Sequence, residues 1–149
     1  LAGKDPKEVD IALFLFTSVG DHKRAAINEA KPFATWFFVN LPNHPVVLKQ
    51  NISPEARAAF DEYRARYYKY DEEVSHHAPK WDSASSKASF LDDETVLKFV
   101  LAGTPEDAVR QIKELEKLGV ESFIFRVAYS DHFEKQLELI GDHILPEFR

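Results

Sequence analysis

Phe99-Val100-Leu101-Ala102-Gly103-Thr104-Pro105-Glu106-Asp107, followed by Leu118-Gly119-Val120-Glu121-Ser122-Phe123-Ile124-Phe125-Arg126-Val127, decides the fold class. The first four residues are an uninterrupted apolar run, the mark of a short buried strand. At the junction Thr104 offers an N-cap hydroxyl, and Pro105 suits the first helical position, where its missing N–H costs nothing. Asp107 stands where the acid of a capping box would. Val109, Ile112, Leu115 and Leu118 recur at helical spacing and predict the buried face, and Gly119 supplies the stop. Val120–Val127 is the next strand. Two strands separated by one helix call for a parallel pair with a crossover.

The same grammar extends outward. Ala2-Gly3-Lys4-Asp5-Pro6 reads as a turn closing a helix that the chain does not contain. Val9–Thr17 is a nearly continuous apolar run, expected to be a strand buried on both faces. Ser18-Val19-Gly20-Asp21 forms a turn in which Asp21 caps a helix through Ala25, Ala26, Glu29 and Ala30, and Pro32 is expected to end or kink it. Phe33, Trp36 and Phe37 place an aromatic face against another layer. After the break at Leu41–Pro45, Ser53-Pro54-Glu55 restarts a helix whose stripe of Phe60, Tyr63, Tyr67, Tyr70 and Val74 is expected to pack on the body. His76–Lys87 reads as a surface loop. A short helix runs from Asp92 to about Leu97, and Phe133, Leu137, Ile140, Ile144 and Leu145 line the last one. Three strands, each feeding a helix, give an α/β fold with parallel β-α units.

Composition narrows the chemistry. Twenty-five acidic against 19 basic residues leave a net charge of −6, with the cations scattered, so nucleic acid is not an expected partner. No apolar run approaches the roughly 20 residues of a membrane span, and a cytosolic location is expected. The absence of cysteine excludes disulfides, thiolate metal sites and cysteine nucleophiles together. Adjacent His76 and His77 diverge on helix or strand and have no ligand partner at suitable spacing, so no metal site is expected. With no methionine, the chain starting at Leu1 reads as a piece of something longer.

The run Gly103–Ala108 through Leu118–Arg126, with a final helix closing on Leu145-Pro146-Glu147-Phe148-Arg149, resembles the C-terminal end of the luciferase-like monooxygenase superfamily. The opening Ala2–Val9 is similar to the segment before that family's sixth barrel strand. Residues 41 to 90 match only loosely. The resemblance covers both ends of the chain in the right order. It implies a partial TIM (β/α)8 barrel, strands six to eight with their helices, spanning 1–149, with 41–90 as a helical and loop insertion. It also implies an oxidoreductase, a monooxygenase or a reductase, using FMN or the deazaflavin coenzyme F420 on a small organic substrate. A whole barrel needs about 250 residues, and the family's cofactor site draws on its first five strands. This chain alone is therefore expected to be inactive. Three parallel strands leave two open edges, to be covered by a missing N-terminal half-barrel, a separate chain or a second copy in an oligomer. The alternative is a non-catalytic half-barrel that binds or assembles through its aromatic surfaces.

Barrel enzymes work at the C-terminal ends of their strands. That rule selects Ser18 and His22 after the first strand, Thr104 after the second, and Arg126 and His132 after the third. His22 and His132 are candidate acid–base groups. Ser18, Thr104 and Arg126 are candidate cofactor or substrate contacts. A phosphate would suit the helix start at Thr104, but Glu106 and Asp107 already place negative charge there, which favours capping. Alternation along the third strand sets Ser122, Ile124 and Arg126 on one face, and Phe123 and Phe125 on the other against the helices. Arg126 is thus expected to face the barrel axis, paired either with an anionic ligand or with an internal carboxylate.

Overall fold

The computed structural model describes residues 10–40, 54, 55, 57, 58, 61, 62, 88 and 91–148. Strand β1 (Ala12–Val19) leads to helix α1 (Lys23–Asn40), and the short α2 (Asp93–Leu97) precedes β2 (Leu101–Gly103). Helix α3 (Pro105–Lys117), β3 (Ser122–Val127) and α4 (Phe133–Leu139) complete the order, continued by a π turn at Ile140–Ile144 and a 3-10 turn at Leu145–Phe148.

The junction read first from sequence forms as its chemistry dictates. Thr104 caps α3: its hydroxyl accepts from Asp107 N at 3.3 Å, and Asp107 Oδ2 accepts from Thr104 N at 3.4 Å. Gly103 has φ +142°, and a Cβ there would lie 2.7 Å from that of Asp107, so only glycine lets β2 turn into its helix. Gly119, at φ +91°, ends α3 as Val120 N donates back to Leu115 O. Leu118 departs from its expected place on the buried face and is 78% exposed, because it follows the last helical turn.

All strands are parallel, in the order β2-β1-β3. The expected α/β class with parallel β-α units is therefore what the chain forms. Its strand order departs from that of a barrel segment, where consecutive strands lie side by side. Here β1 is central, so the path steps from β1 to β2 and then back past β1 to β3. Right-handed crossovers then require α1 and α3 on opposite faces, and the two cores divide that way. Ile27, Phe33 and Ala34 of α1 pack with Val96, Ala102 and Phe16 on one face. Val19, Leu101, Phe123 and Phe125 pack with Ile112 of α3 and Leu139, Ile140 and Ile144 on the other. Arg126 does lie opposite Phe123 and Phe125 in the alternation, but its face is the one α1 covers beside Phe16, not a barrel interior.

Other expectations change with tertiary packing. Pro32 does not end α1, which continues to Asn40 because Phe33, Ala34 and Thr35 after it are buried. The Thr35 hydroxyl donates to Lys31 O at 2.9 Å in the same turn. Strand β1 is buried on both faces only from Thr17 to Val19, whereas Phe14, 53% exposed, stands uncovered near its start. Phe33 and Phe37 provide the aromatic face, stacking around Phe16 with centroids 4.6 and 5.5 Å away. The Trp36 side chain, the Phe60–Val74 stripe and His76–His77 lie outside the described residues. Pro54, Glu55, Arg57, Ala58, Asp61 and Glu62 are helical and exposed.

Candidate functional site

The β1–β3 ladder ends at Thr17 opposite Val127, with Ala128 N donating to Thr17 O at 2.9 Å just beyond. From there the strands part, β1 turning through Gly20 to α1 on one face and β3 through Tyr129 to α4 on the other. Such a reversal of direction at the carboxyl ends of parallel strands opens a crevice. A cleft of about 370 Å³ lies there, walled by the first two turns of α1 and the first of α4, with Ala25, Ala26, His22, Glu29, His132 and Gln136 among its lining.

Gln136 makes the floor. It is 1% exposed, accepts from Val19 N at 3.0 Å and donates to Ala128 O at 3.3 Å. The amide supplies both halves of the pairing that the diverging strands can no longer give each other. Ser18, fully buried on the opposite side of β1, donates to Glu29 Oε2 at 3.0 Å. Glu29 Oε1 in turn lies 3.8 Å from His132 Nδ1, with the two side chains 16% and 78% exposed.

The candidates from sequence thus separate. His22 and His132 line this one cleft, and Ser18, buried behind it, reaches it through Glu29. Thr104 is occupied as the cap of α3. Asp107 beside it is held by Lys23 of α1 at 3.2 Å and by Arg110. Burial opposes ionisation of Asp107, but the two cations and the Thr104 N–H outweigh it and keep its carboxyl below the ordinary value. This helix start is already filled by a carboxylate. Arg126 is half-buried in β3 and is not among the residues lining the cleft. Sequence reasoning passed over Glu29 and Gln136. Each left a signal, since Glu29 falls between Ala26, Ala30 and Phe33 on an apolar face, and Gln136 sits three and four residues from Leu139 and Ile140. A polar residue on a buried stripe must have a partner.

Residues 1–122 match the family model of the luciferase-like monooxygenases. Among curated proteins the chain is 27% identical to the 5,10-methylenetetrahydromethanopterin reductase of Methanolobus tindarius, over 97% of this chain and 40% of the relative. It is 26% identical to the enzyme of that name from Methanopyrus kandleri, over 99% of this chain and 38% of the relative. The solved coenzyme F420 dependent tetrahydromethanopterin reductase of Methanopyrus kandleri shares the fold, with a TM-score of 0.61 at 21% identity, over 99% of this chain and 38% of that one. The chain thus spans about two-fifths of the length of the curated relatives it matches.

Proposed function

The chain belongs to the luciferase-like monooxygenase family, and from that membership we propose that it is the C-terminal part of a deazaflavin-dependent oxidoreductase, with coenzyme F420 rather than FMN as its hydride carrier. The observation that carries this reading is the match along nearly the whole chain to proteins named methylenetetrahydromethanopterin reductases. By the same argument the substrate class is a one-carbon unit on a reduced pterin. The cleft between α1 and α4 is this chain's share of the reaction site, with His132 and His22 as its proton-handling groups.

A volume of about 370 Å³ suits one edge of a ring system, being near the lower end of the roughly 300–1,000 Å³ of small-molecule sites. The start of α3 does not suit an anionic tail, because Glu106 and Asp107 already place negative charge there. In the complete enzyme β1 and β3 would stay side by side, since the cleft between α1 and α4 exists only while they do. A missing N-terminal half, on the same or another chain, then covers Phe14 and Ile124, each 53% exposed on the sheet.

The same apolar strip supports a second reading, a module that assembles through its sheet without catalysis. Capturing the protein from its native cell through a tag on this chain separates the two. The oxidoreductase reading predicts a deazaflavin absorption spectrum and consumption of the reduced coenzyme with methylenetetrahydromethanopterin. Colourless material consisting of this chain alone, with no such turnover, would favour the assembly module.

A further inference from the structure

We infer that Glu29 is a positioning residue for His132: held by the buried Ser18 hydroxyl, its carboxylate turns Nδ1 of the imidazole inward and leaves Nε2 facing the cleft as a proton carrier. The proton-carrying role rests on the proposal that this cleft belongs to the reaction site, whereas the positioning does not.

A carboxylate on the apolar face of α1 pays a desolvation cost unless it is paired. Ser18 meets that need at Oε2, 3.0 Å away, and also fixes which way the other oxygen points. Oε1 is aimed at α4, where His132 Nδ1 is 3.8 Å distant. The backbone that carries the imidazole is anchored on both sides. His132 N donates to Ser130 Oγ at 3.1 Å, and His132 O accepts from Gln136 N at 2.9 Å, while the Gln136 side chain is tied to both strand ends. With the backbone fixed, rotation of the exposed ring is the freedom left, and a small rotation closes 3.8 Å to hydrogen-bond length. Such contacts are commonly long before a ligand enters. The hydrogen bond at one ring nitrogen sets which tautomer is present. An imidazolium that gives its Nε2 proton to a substrate atom becomes the Nδ1–H form facing Glu29. Water at the open mouth then returns a proton to Nε2.

Histidine tautomers are read directly from long-range proton–nitrogen correlation spectra of the nitrogen-labelled 149-residue chain, above the titration range of imidazole. The expected result is an excess of the Nδ1–H form at His132. The Ser18→Ala/Glu29→Leu double variant, which removes both polar partners and strands neither, should shift His132 to the Nε2–H form preferred by an unconstrained histidine side chain. Glu29→Gln retains an acceptor oxygen and keeps the wild-type form in a conservatively folded chain. An unchanged tautomer ratio in the double variant overturns the inference. In the assembled enzyme the double variant should lose at least about tenfold in kcat with KM little changed, and an unchanged kcat overturns the proton-carrying role. A tautomer shift in a wild-type protein that has no deazaflavin-dependent turnover supports the positioning and instead sinks the proposed function.

Discussion

Replacing Gln136 by leucine tests the idea that one buried amide holds the diverging strands together. Leucine keeps the volume and apolar contact of a side chain that is 1% exposed, so the packing term changes little. What is lost is polar. Val19 N–H, at a residue 1% exposed, is left without the acceptor 3.0 Å away, and the Ala128 carbonyl keeps only the Ser130 N–H, 3.2 Å distant. An unsatisfied buried donor costs about 1–3 kcal/mol, and a lost second bond at the carbonyl adds up to about 1 kcal/mol. The sum is a destabilisation of about 1 to 4 kcal/mol. Urea unfolding followed by far-ultraviolet circular dichroism measures it, and a slope of about 2 kcal/mol/M puts the midpoint shift at roughly 0.5–2 M. A loss below about 0.5 kcal/mol with unchanged slope would refute the reasoning, because a surface substitution costs that much.

Thr104→Ala removes a capping box and should lower stability by about 1 kcal/mol, while cofactor affinity of the complete enzyme stays as it was; calorimetric melting and ligand titration check the two halves. Asp107 is more acidic folded than its ordinary value of 3.8, so its contribution is present above that pH and is lost as pH falls through it towards the folded value. Asp107→Asn should therefore flatten the acid limb of the stability–pH curve, and equal limbs in both proteins would contradict the assignment. Phe14 and Ile124 are register partners on β1 and β3 in a chain without cysteine. Cysteines at both positions should cross-link on oxidation in the chain alone and in the assembled protein alike, as read by mass spectrometry, and a link absent from the assembled protein would contradict the proposed site.

The β2-α3-β3 unit was legible because its signals are local: a capping box, a proline at the helix start and a glycine at φ +91° act within a few residues. Strand order was not, since nothing near β1 states whether β2 or β3 will lie beside it, and two-sided helix packing emerges only when all three are placed. Pro32 illustrates tertiary override, its cost offset by buried Phe33 and Ala34. The last helix was read correctly at Ile140 and Ile144 but not at Leu137 and Leu145. A π turn over Ile140–Ile144 departs from the 3.6-residue period, and it keeps Ile140 and Ile144 buried together while Leu137 and Leu145 are 47% and 40% exposed. Gln136 falls on the true buried face. His22 and His132, chosen by position at strand ends, line the cleft, and Ser18 reaches it through Glu29, but the cleft itself depends on the strand order and so stayed hidden.

Calorimetric titration of coenzyme F420, with FMN in parallel, into the protein captured through this chain and into the 149-residue chain alone tests the proposed identity most directly. The captured protein should bind the deazaflavin at least about tenfold more tightly than FMN, a difference of about 1.4 kcal/mol, and the lone chain should bind neither with a Kd below roughly 1 µM. Preference for FMN in the captured protein, or Kd values below roughly 1 µM for either coenzyme on a monomer of the lone chain, would contradict it.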